Sequence, residues 1–269
     1  MKRMQDTQAQ AAQKAQAQAK APASQATSVS QAAQTTPAPA PAQAQAQASQ
    51  AQAQAQAQAP TPQAAPAAGI GALIVAAGLS SRMGSFKPML MLGRLSLVQR
   101  VIRTMREAGA GPIALVTGYE AARLEAHVAD TGVVCLRNEA YATTQMLDSI
   151  KIGLRFLQDK CGRVLLTPAD IPLYTAETVR TLAACGAPVA APVYAGRRGH
   201  PLLLAGELIP YVEAYDGPGG LAGAIQAGGW TVAPVAVDDE GILLDADTPA
   251  DFAAIKALYQ RQQDCYNAP

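Results

Sequence analysis

The sequence predicts an α/β domain with a mostly parallel sheet and an added β-hairpin, preceded by a disordered tail. Three observations lead to this prediction. From Gly69 onward, short apolar segments alternate with helical segments of about 10–15 residues, which is the pattern of βαβ units. The first apolar segment, 72–77, is uninterrupted, as expected for a strand buried on both faces of a parallel sheet. Residues 1–68, in contrast, contain 26 Ala and 18 Gln.

Residues 1–68 form the predicted tail. The stretch 42–59 alternates Ala and Gln almost strictly, which gives a helix no apolar stripe to bury. Prolines between positions 37 and 66 also break any long helix. We therefore expect a disordered linker or solubilising extension, with a Gln-rich partner-binding segment as the alternative. Residues 69–263 then form one folded domain, a length that a single core can serve.

The spacing of apolar residues predicts the elements after the first strand. Apolar positions three and four apart indicate helices, and short apolar runs indicate strands. In chain order we expect helix 97–108, strand 113–116, helix 121–128, strand 133–136, helix 146–157, strand 163–166 and helix 175–185. The added hairpin and the end of the domain follow as strand 189–194, turn 196–199, strand 201–204, strand 231–237, a short return at 242–244 and a helix from Pro249.

Charge and composition exclude several classes of function. The net charge of +1 combines +3 in residues 1–68 with −2 in the remainder. Neither part has a dense run of Lys and Arg interleaved with aromatic residues, so we expect no nucleic-acid partner. No stretch of about 18 apolar residues occurs, so we expect no membrane span. The four cysteines lack a metal-ligand or redox spacing, which suits a reducing cytoplasm.

The first candidate site is the polar loop 76–87 after the first strand. Ligands of open parallel sheets bind beyond the carboxyl ends of the strands. Gly78 and Gly84 allow the backbone to approach a ligand closely, and Arg82 and Lys87 supply the positive charge that a triphosphate needs. The glycine spacing fits neither a Walker loop nor a dinucleotide-binding motif. The alternative is an ordinary glycine-rich loop with two exposed basic residues.

The second candidate site follows the strand 163–166. Asp170 lies between Pro168 and Pro172, which restrict its position at the strand end. A carboxylate there could bind Mg²⁺, which prefers one or two carboxylates together with substrate phosphates. Asp247 offers a second carboxylate. The alternatives are a turn aspartate at the first position and the cap of the last helix at the second.

Four motifs, in this order, resemble those of the MobA-like nucleotidyltransferases, and the resemblance covers residues 70–260. The first loop is most similar to the loop of the family's molybdenum cofactor cytidylyltransferases. The motifs are Ala76-Ala77-Gly78-Leu79-Ser80-Ser81-Arg82-Met83-Gly84 with Lys87, then Pro168-Ala169-Asp170-Ile171-Pro172, Gly199-His200-Pro201 and Asp245-Ala246-Asp247-Thr248-Pro249-Ala250-Asp251.

The resemblance implies a Rossmann-like sheet of the nucleotide-diphospho-sugar transferase type. It also implies Mg²⁺-dependent transfer of a nucleoside monophosphate from an NTP to a phosphate-bearing acceptor, with release of pyrophosphate. By matching position, the nucleotide-binding residues would be Ala76, Ala77, Gly78, Ser80, Ser81, Arg82, Gly84 and Lys87. The catalytic residues would be Arg82, Lys87 and Asp170, the Mg²⁺ ligands Asp170 and Asp247, and the acceptor-binding residues Gly199, His200 and Pro201.

The substrates implied are CTP and a molybdopterin-type acceptor, with a molybdenum hydroxylase apoenzyme as a candidate partner. Ala77 stands where guanylyltransferase relatives carry glycine, which favours CTP. An ionised phosphate acceptor needs no general base, since its second pKa is near 6. Two departures, in 145–149 and 215–221, affect the acceptor side. A sugar- or alditol-phosphate nucleotidyltransferase and a non-catalytic molybdenum-cofactor carrier or insertion chaperone therefore remain alternatives.

Overall fold

A computed structural model describes residues 69–78 and 84–267 of the chain. The predicted disordered tail, residues 1–68, lies outside the described residues, as do the predicted nucleotide-binding residues Ser80, Ser81 and Arg82.

Strands and helices alternate along the described part of the chain. The strands are β1 Ile70–Ala76, β2 Met91–Leu92, β3 Leu95–Ser96, β4 Ile113–Thr117, β5 Val134–Arg137, β6 Arg163–Pro168, β7 Val189–Tyr194, β8 Arg197–Arg198, β9 Leu202–Ala205 and β10 Ala233–Ala236. The helices are α1 Leu97–Glu107, α2 Ala121–Val128, α3 Met146–Leu157, α4 Ala176–Ala183, α5 Ile209–Ala214, α6 Gly220–Ala227 and α7 Pro249–Asn267. None of these helices has the length and apolar character needed to cross a bilayer.

The main sheet is mostly parallel, as the sequence predicts. Its strand order is β10-β7-β9-β6-β1-β4-β5, with β8 paired to β7. β1 pairs in parallel with β4 and β6, β4 with β5, and β7 with β10. The carboxyl ends of β6, β1, β4 and β5 therefore lie at one edge of the sheet, where ligands of open α/β sheets bind.

The predicted hairpin is present, and it inserts a strand into the sheet. β9 is antiparallel to both β6 and β7, with Leu166 paired to Leu202 and Ala190 paired to Leu203. Since β9 runs opposite to β6, the start of β9 lies beside the end of β6. This arrangement brings the turn before Leu202 to the edge where β6 ends.

Apolar side chains fill both faces of the sheet. Along β1, Ala72 and Ile74 belong to a cluster with α1, α2 and α4, whereas Leu73 and Val75 belong to a cluster with α3, α5 and α6. These four residues are at most 8 % exposed. Two helical layers therefore cover a sheet whose central strand is buried on both sides, which explains the continuous apolar run.

The structure differs from the prediction at three places. The return predicted at 242–244 is a 3-10 helical segment, Glu240–Leu243, begun by the Asp239 side chain, which accepts a hydrogen bond from the Gly241 backbone N–H. The short β2–β3 hairpin was not predicted because two residues per strand give no periodicity. Helices α5 and α6 were also not predicted. The first is only six residues long, and the second contains Gly220 and Gly223, which disfavour helices.

Candidate active site

Three side chains from distant parts of the sequence meet at the carboxyl edge of the sheet. The Lys87 Nζ lies 3.3 Å from Asp170 Oδ2 and 2.5 Å from Asp247 Oδ1. The Lys87 side chain is only 12 % exposed, against 21 % for Asp170 and 34 % for Asp247. One ammonium group is thus shared by two carboxylates in a partly shielded position.

Buried neighbours hold the segment that carries Lys87. Lys87 begins a 3-10 turn that ends at Met89, between the buried residues Phe86 and Pro88. The Phe86 ring packs edge-to-face against Tyr119, with 5.7 Å between the ring centroids. Because these neighbours anchor the turn in the core, the lysine side chain extends from a defined point toward the two carboxylates.

Backbone hydrogen bonds place the two aspartates. The Ala169 N–H donates to the Val75 carbonyl (3.0 Å), which ties the end of β6 to β1. The Ala246 N–H donates to the Asp170 carbonyl (3.1 Å), which ties the segment before α7 to the residue that follows β6. Ala246 is fully buried. This second hydrogen bond therefore holds the segment that contains Asp247 next to Asp170.

Thr248, rather than Asp247, caps helix α7. The Asp251 N–H donates to Thr248 Oγ1 (3.2 Å), and the Thr248 N–H donates to Asp251 Oδ2 (2.8 Å). This reciprocal pair is a capping box, followed by Pro249 at the first helical position. The capping alternative for Asp247 is thus wrong, and its carboxylate faces Lys87 instead.

Several carboxylates lie close together in the site. Burial lowers the pKa of Lys87, but the hydrogen bond to Asp247 and the charges of Asp170 and Asp247 outweigh burial and raise it above the ordinary 10.5. Burial, followed by the charges of Asp247, Asp170 and Asp251, raises the pKa of Asp245. The lysine is therefore charged at neutral pH, and the surrounding carboxylates repel one another.

The first two residues of the predicted acceptor turn Gly199-His200-Pro201 line the same cleft as the carboxylates. The His200 N–H donates to the Ile242 carbonyl (3.0 Å). A Cβ atom at Gly199 would lie only 2.3 Å from the same carbonyl oxygen, so the close approach requires glycine. Pro201, which follows, is buried. The turn is thus held firmly against the 3-10 segment at 240–243.

His200 presents a neutral imidazole at this position. Burial lowers its pKa, opposed by the charge of Asp170 and a hydrogen bond with the Leu166 backbone. Its Nδ1 atom is buried without a hydrogen-bond partner among the described residues. The ring therefore contributes no positive charge near neutral pH, and its buried nitrogen keeps an unused capacity for one hydrogen bond.

A cleft of about 380 Å³ joins these parts of the site. Besides the carboxylates and the turn, its lining includes Met146, Arg197 and Arg198, which the sequence did not single out as site residues. In the sequence, basic residues that line a cleft cannot be told from basic residues that face bulk solvent. Only the fold therefore shows that Arg197 and Arg198 line the cleft. The lining residues are Met146, Pro168, Asp170, Ile171, Arg197, Arg198, Gly199, His200, Ile242, Leu243, Asp245 and Asp247.

The first loop is described only at its two ends. Ala76 and Ala77 are buried, and Gly78 and Gly84 are exposed. Gly84 has a φ of +67°, a conformation that favours glycine. Because residues 79–83 lie outside the described residues, the nucleotide-binding roles of the loop and the preference for CTP inferred from Ala77 stay predictions.

A buried asparagine that was not predicted as a site residue, Asn138, holds the loop after β5. Asn138, 4 % exposed, follows β5, and its Nδ2 donates to Thr144 Oγ1 (2.9 Å) and Ser149 Oγ (3.0 Å). Its Oδ1 accepts from the Ala140 N–H (3.1 Å). This network fixes the loop that leads to Met146 and the cleft. An Asn directly after an apolar strand was the available signal.

The chain is similar to characterised nucleotidyltransferases in sequence and in fold. A family model, the MobA-like NTP transferase domain, matches residues 72–235. The chain is 30 % identical over 194 residues to the molybdenum cofactor cytidylyltransferase of Escherichia coli K12, covering 71 % of this chain and 97 % of that protein.

Two solved structures have the same fold. A nucleotidyl transferase from Methanothermobacter has a TM-score of 0.64 at 22 % identity, over 72 % of this chain and 99 % of that one. A Mycobacterium tuberculosis protein in complex with manganese has a TM-score of 0.61 at 22 % identity, over 71 % of this chain and 99 % of that one. From the family match and the E. coli relative together, this chain belongs to the MobA-like family of nucleotidyltransferases.

Proposed function

We propose that the protein transfers a nucleoside monophosphate from an NTP, with CTP favoured, to a molybdopterin-type acceptor that carries a phosphate, with release of pyrophosphate. The observation that carries the proposal is the contact of the Lys87 ammonium with both Asp170 and Asp247, two carboxylates that line a cleft together with Gly199 and His200. The paired carboxylates and the first two residues of the acceptor turn thus border one volume, and the lysine contacts those carboxylates.

The donor set fits a divalent cation such as Mg²⁺. Asp170 and Asp247 already converge on one positive charge, the Lys87 ammonium, and both offer the hard oxygen ligands that Mg²⁺ prefers. No group of three or more His, Cys, Asp or Glu residues able to hold a metal occurs in 69–78 and 84–267. Phosphate oxygens and water would complete the coordination, and the bound ion would neutralise triphosphate charge. The manganese in the M. tuberculosis structure supports a divalent metal.

The residues of the chain supply charge and position. Lys87, charged at neutral pH, would move from the carboxylates to the phosphates when nucleotide binds, and Arg82 would add a second cation. Neutral His200, which lines the cleft, would help to position the acceptor. The acceptor phosphate is ionised near pH 7, so catalysis needs positioning and charge stabilisation and no general base.

The choice of substrates follows the E. coli relative, whose name specifies cytidylyl transfer to the molybdenum cofactor. We also propose a molybdenum hydroxylase apoenzyme as the recipient of the product and the cytoplasm as the compartment. Cys135, Cys161 and Cys185 are free thiols, as a reducing compartment allows.

The test is a turnover assay with purified protein, Mg²⁺, molybdopterin and each common NTP in turn, with pyrophosphate release as the measurement. We expect release with CTP above the other nucleotides. Asp170→Ala should lower turnover by about 10²-fold or more, because it removes a proposed metal ligand. The matched control is Asp159→Ala, an exposed aspartate after α3, which should behave as wild type.

Other outcomes would contradict the proposal in defined ways. Release with sugar or alditol phosphates and none with molybdopterin would indicate a sugar- or alditol-phosphate nucleotidyltransferase. No release with any acceptor, together with delivery of cofactor to an apoenzyme by both wild type and Asp170→Ala, would indicate a non-catalytic carrier.

A further inference from the structure

We propose that Arg197 and Arg198 bind the phosphate of the acceptor, an inference that rests on the proposed function and identifies the group that the acceptor side recognises. The two arginines make up strand β8 and line the cleft that contains Asp170 and Asp247. Both are exposed. Carboxylates repel an acceptor phosphate, so a cleft that binds the phosphate beside them needs cationic side chains.

The charges of the described residues support this assignment. Lys87 already contacts two carboxylates of the cleft. Neither Arg197 nor Arg198 forms a side-chain hydrogen bond or ion pair with another residue that the structure describes, although Asp170, Asp245 and Asp247 line the same cleft. The pair is therefore available to an anionic ligand.

Most other arginines of the described chain are engaged within the protein. Six of them form ion pairs with glutamates, and three of these pairs join separate elements. The pairs are Arg103–Glu107, Arg123–Glu120, Arg137–Glu125, Arg155–Glu213, Arg180–Glu177 and Arg261–Glu240. An arginine pair that lines a cleft without such a partner is the exception that a ligand would explain.

The backbone holds the two arginines in place. The turn that precedes them contains Ala195 (φ 48°) and Gly196 (φ 75°), and Arg197 and Arg198 pair with the last two residues of β7. After them, the Gly199 N–H donates to the Pro192 carbonyl (2.9 Å). The backbone of strand β8 is thus fixed at both ends, so only the arginine side chains lose conformational freedom on binding.

Arginine matches the chemistry of a phosphate monoester. Its guanidinium stays charged at all working pH values and can donate two parallel hydrogen bonds to phosphate oxygens. In the transfer, an acceptor phosphate oxygen forms a bond to the α-phosphorus of the NTP, while the bond from that phosphorus to the β-phosphate oxygen breaks and pyrophosphate leaves. The arginines take no proton and form no covalent bond. They hold the attacking phosphate.

An exposed methionine suits the remainder of the acceptor. Met146 lines the same cleft and, at 62 % exposed, is the most exposed of the large apolar side chains that the structure describes. A flexible thioether adapts to flat or irregular apolar surfaces. The cleft thus combines basic groups for a phosphate with an apolar group for the body of the molecule.

The experiment uses inorganic phosphate as a probe of the phosphate subsite alone. Phosphate should inhibit competitively against molybdopterin and not against CTP. Arg197→Ala and Arg198→Ala, made separately so that the contribution of each guanidinium is measured alone, should each raise the phosphate inhibition constant and the molybdopterin KM by about ten- to hundredfold. Affinity for CTP should stay at the wild-type value.

Two further variants separate the roles. Met146→Ala should raise the molybdopterin KM and leave the phosphate inhibition constant unchanged. Arg94→Ala removes another exposed arginine that has no ion pair among the described residues and does not line the cleft, so neither constant should change. Circular dichroism of each variant would verify folding, and Arg197→Lys should recover part of the phosphate affinity.

The proposal fails if phosphate competes with CTP, or if phosphate inhibits all variants equally. Failure of the proposed function is distinguishable from these outcomes. If wild type releases no pyrophosphate with any NTP, direct titration of inorganic phosphate and of molybdopterin into wild type, Arg197→Ala and Arg198→Ala still tests the subsite. Equal affinities of all three proteins for both probes would then contradict it.

Discussion

Two sets of aspartates in this fold have contrasting surroundings. Asp239 is buried, 7 % exposed, and its carboxylate accepts hydrogen bonds from the Thr175 N–H (2.8 Å), the Thr178 hydroxyl (2.6 Å) and the Gly241 N–H (3.0 Å). All of these donors are neutral, and together they connect the start of α4 to the 3-10 segment at 240–243. A carboxylate satisfied in this way has a structural role.

The aspartates of the cleft are not satisfied in the same manner. Asp170 and Asp247 share the single ammonium of Lys87, and Asp245 adds a further negative charge nearby. Carboxylates that lie this close together repel one another, so a bound cation would lower that repulsion. The comparison indicates that hydrogen bonds from neutral donors mark a carboxylate that supports the fold, whereas a charged partner shared between clustered carboxylates marks a site that binds ligands.

The largest effect expected from this comparison is that of Lys87→Met. Removal of the shared ammonium leaves two carboxylates close together, and it removes the cation proposed to contact the triphosphate. We expect turnover to fall by about 10²–10³-fold. Thermal stability should drop without divalent cations and recover in millimolar Mg²⁺, because an ion that binds only the folded state stabilises it.

The control for this prediction is Lys256→Met, which removes an exposed lysine on α7 that packs over the Phe252 ring. It should retain wild-type turnover and show no added Mg²⁺ response. If Lys87→Met kept turnover within about threefold of wild type, the ammonium would have no role at the phosphates and the charge argument would be wrong.

Asp239→Ala should have an intermediate effect, on stability rather than chemistry. The substitution leaves the Thr178 hydroxyl and the Gly241 N–H without their buried acceptor, which costs about 1–3 kcal/mol of unfolding free energy. Urea denaturation measures this loss. Turnover at saturating substrate should fall less than tenfold, since the carboxylate contacts no cleft group directly.

Asp238→Ala, at the exposed neighbouring position, is the matched control and should unfold as wild type does. A variant at Asp239 that unfolds normally but loses turnover as strongly as Asp170→Ala would remove the distinction between the two sets.

The sequence predicted the fold better than the surroundings of the site. The continuous apolar run at β1 and the helical spacing of α2 and α3 reflect burial, which acts on each residue locally, and all three elements lie where predicted. Asp170 could likewise be placed at the end of β6 from sequence alone, because the apolar run of that strand directly precedes it.

Contacts between distant segments were harder to anticipate. Nothing local to Asp239 indicates that its partners are Thr175 and Thr178, more than sixty positions away. The cleft-lining arginines of β8 depend on the antiparallel placement of β9 beside β6, which no periodicity encodes. Residues whose role arises from topology therefore became visible only in the structure.

The smallest expected effect concerns Glu125, a carboxylate that is satisfied at the surface. It accepts two hydrogen bonds from Arg137 (2.8 and 2.6 Å) and one from the Thr117 hydroxyl (2.9 Å). The Arg137 hydrogen bonds, opposed by burial and assisted by Thr117, hold the pKa of Glu125 below its ordinary 4.5. If a carboxylate whose charge and hydrogen bonds are satisfied within the protein is structural, Glu125→Gln should slightly lower the free energy of unfolding and leave turnover unchanged.

The pH dependence of this small effect gives the sharpest test. A depressed carboxyl pKa contributes stability that is fully present above pH 4.5 and is lost as the pH falls through the folded-state value. The difference in urea midpoint between wild type and Glu125→Gln should therefore be measurable at pH 7 and shrink toward zero as the pH falls from 4.5 through the folded-state pKa. Because the pair is largely exposed, the difference at pH 7 should also decrease in 0.5–1 M salt, roughly where the Debye length falls to about 3–4 Å. A difference that persisted unchanged at low pH would show that the side chain acts through packing rather than charge, and a loss of turnover would show that satisfied carboxylates in this fold are not only structural.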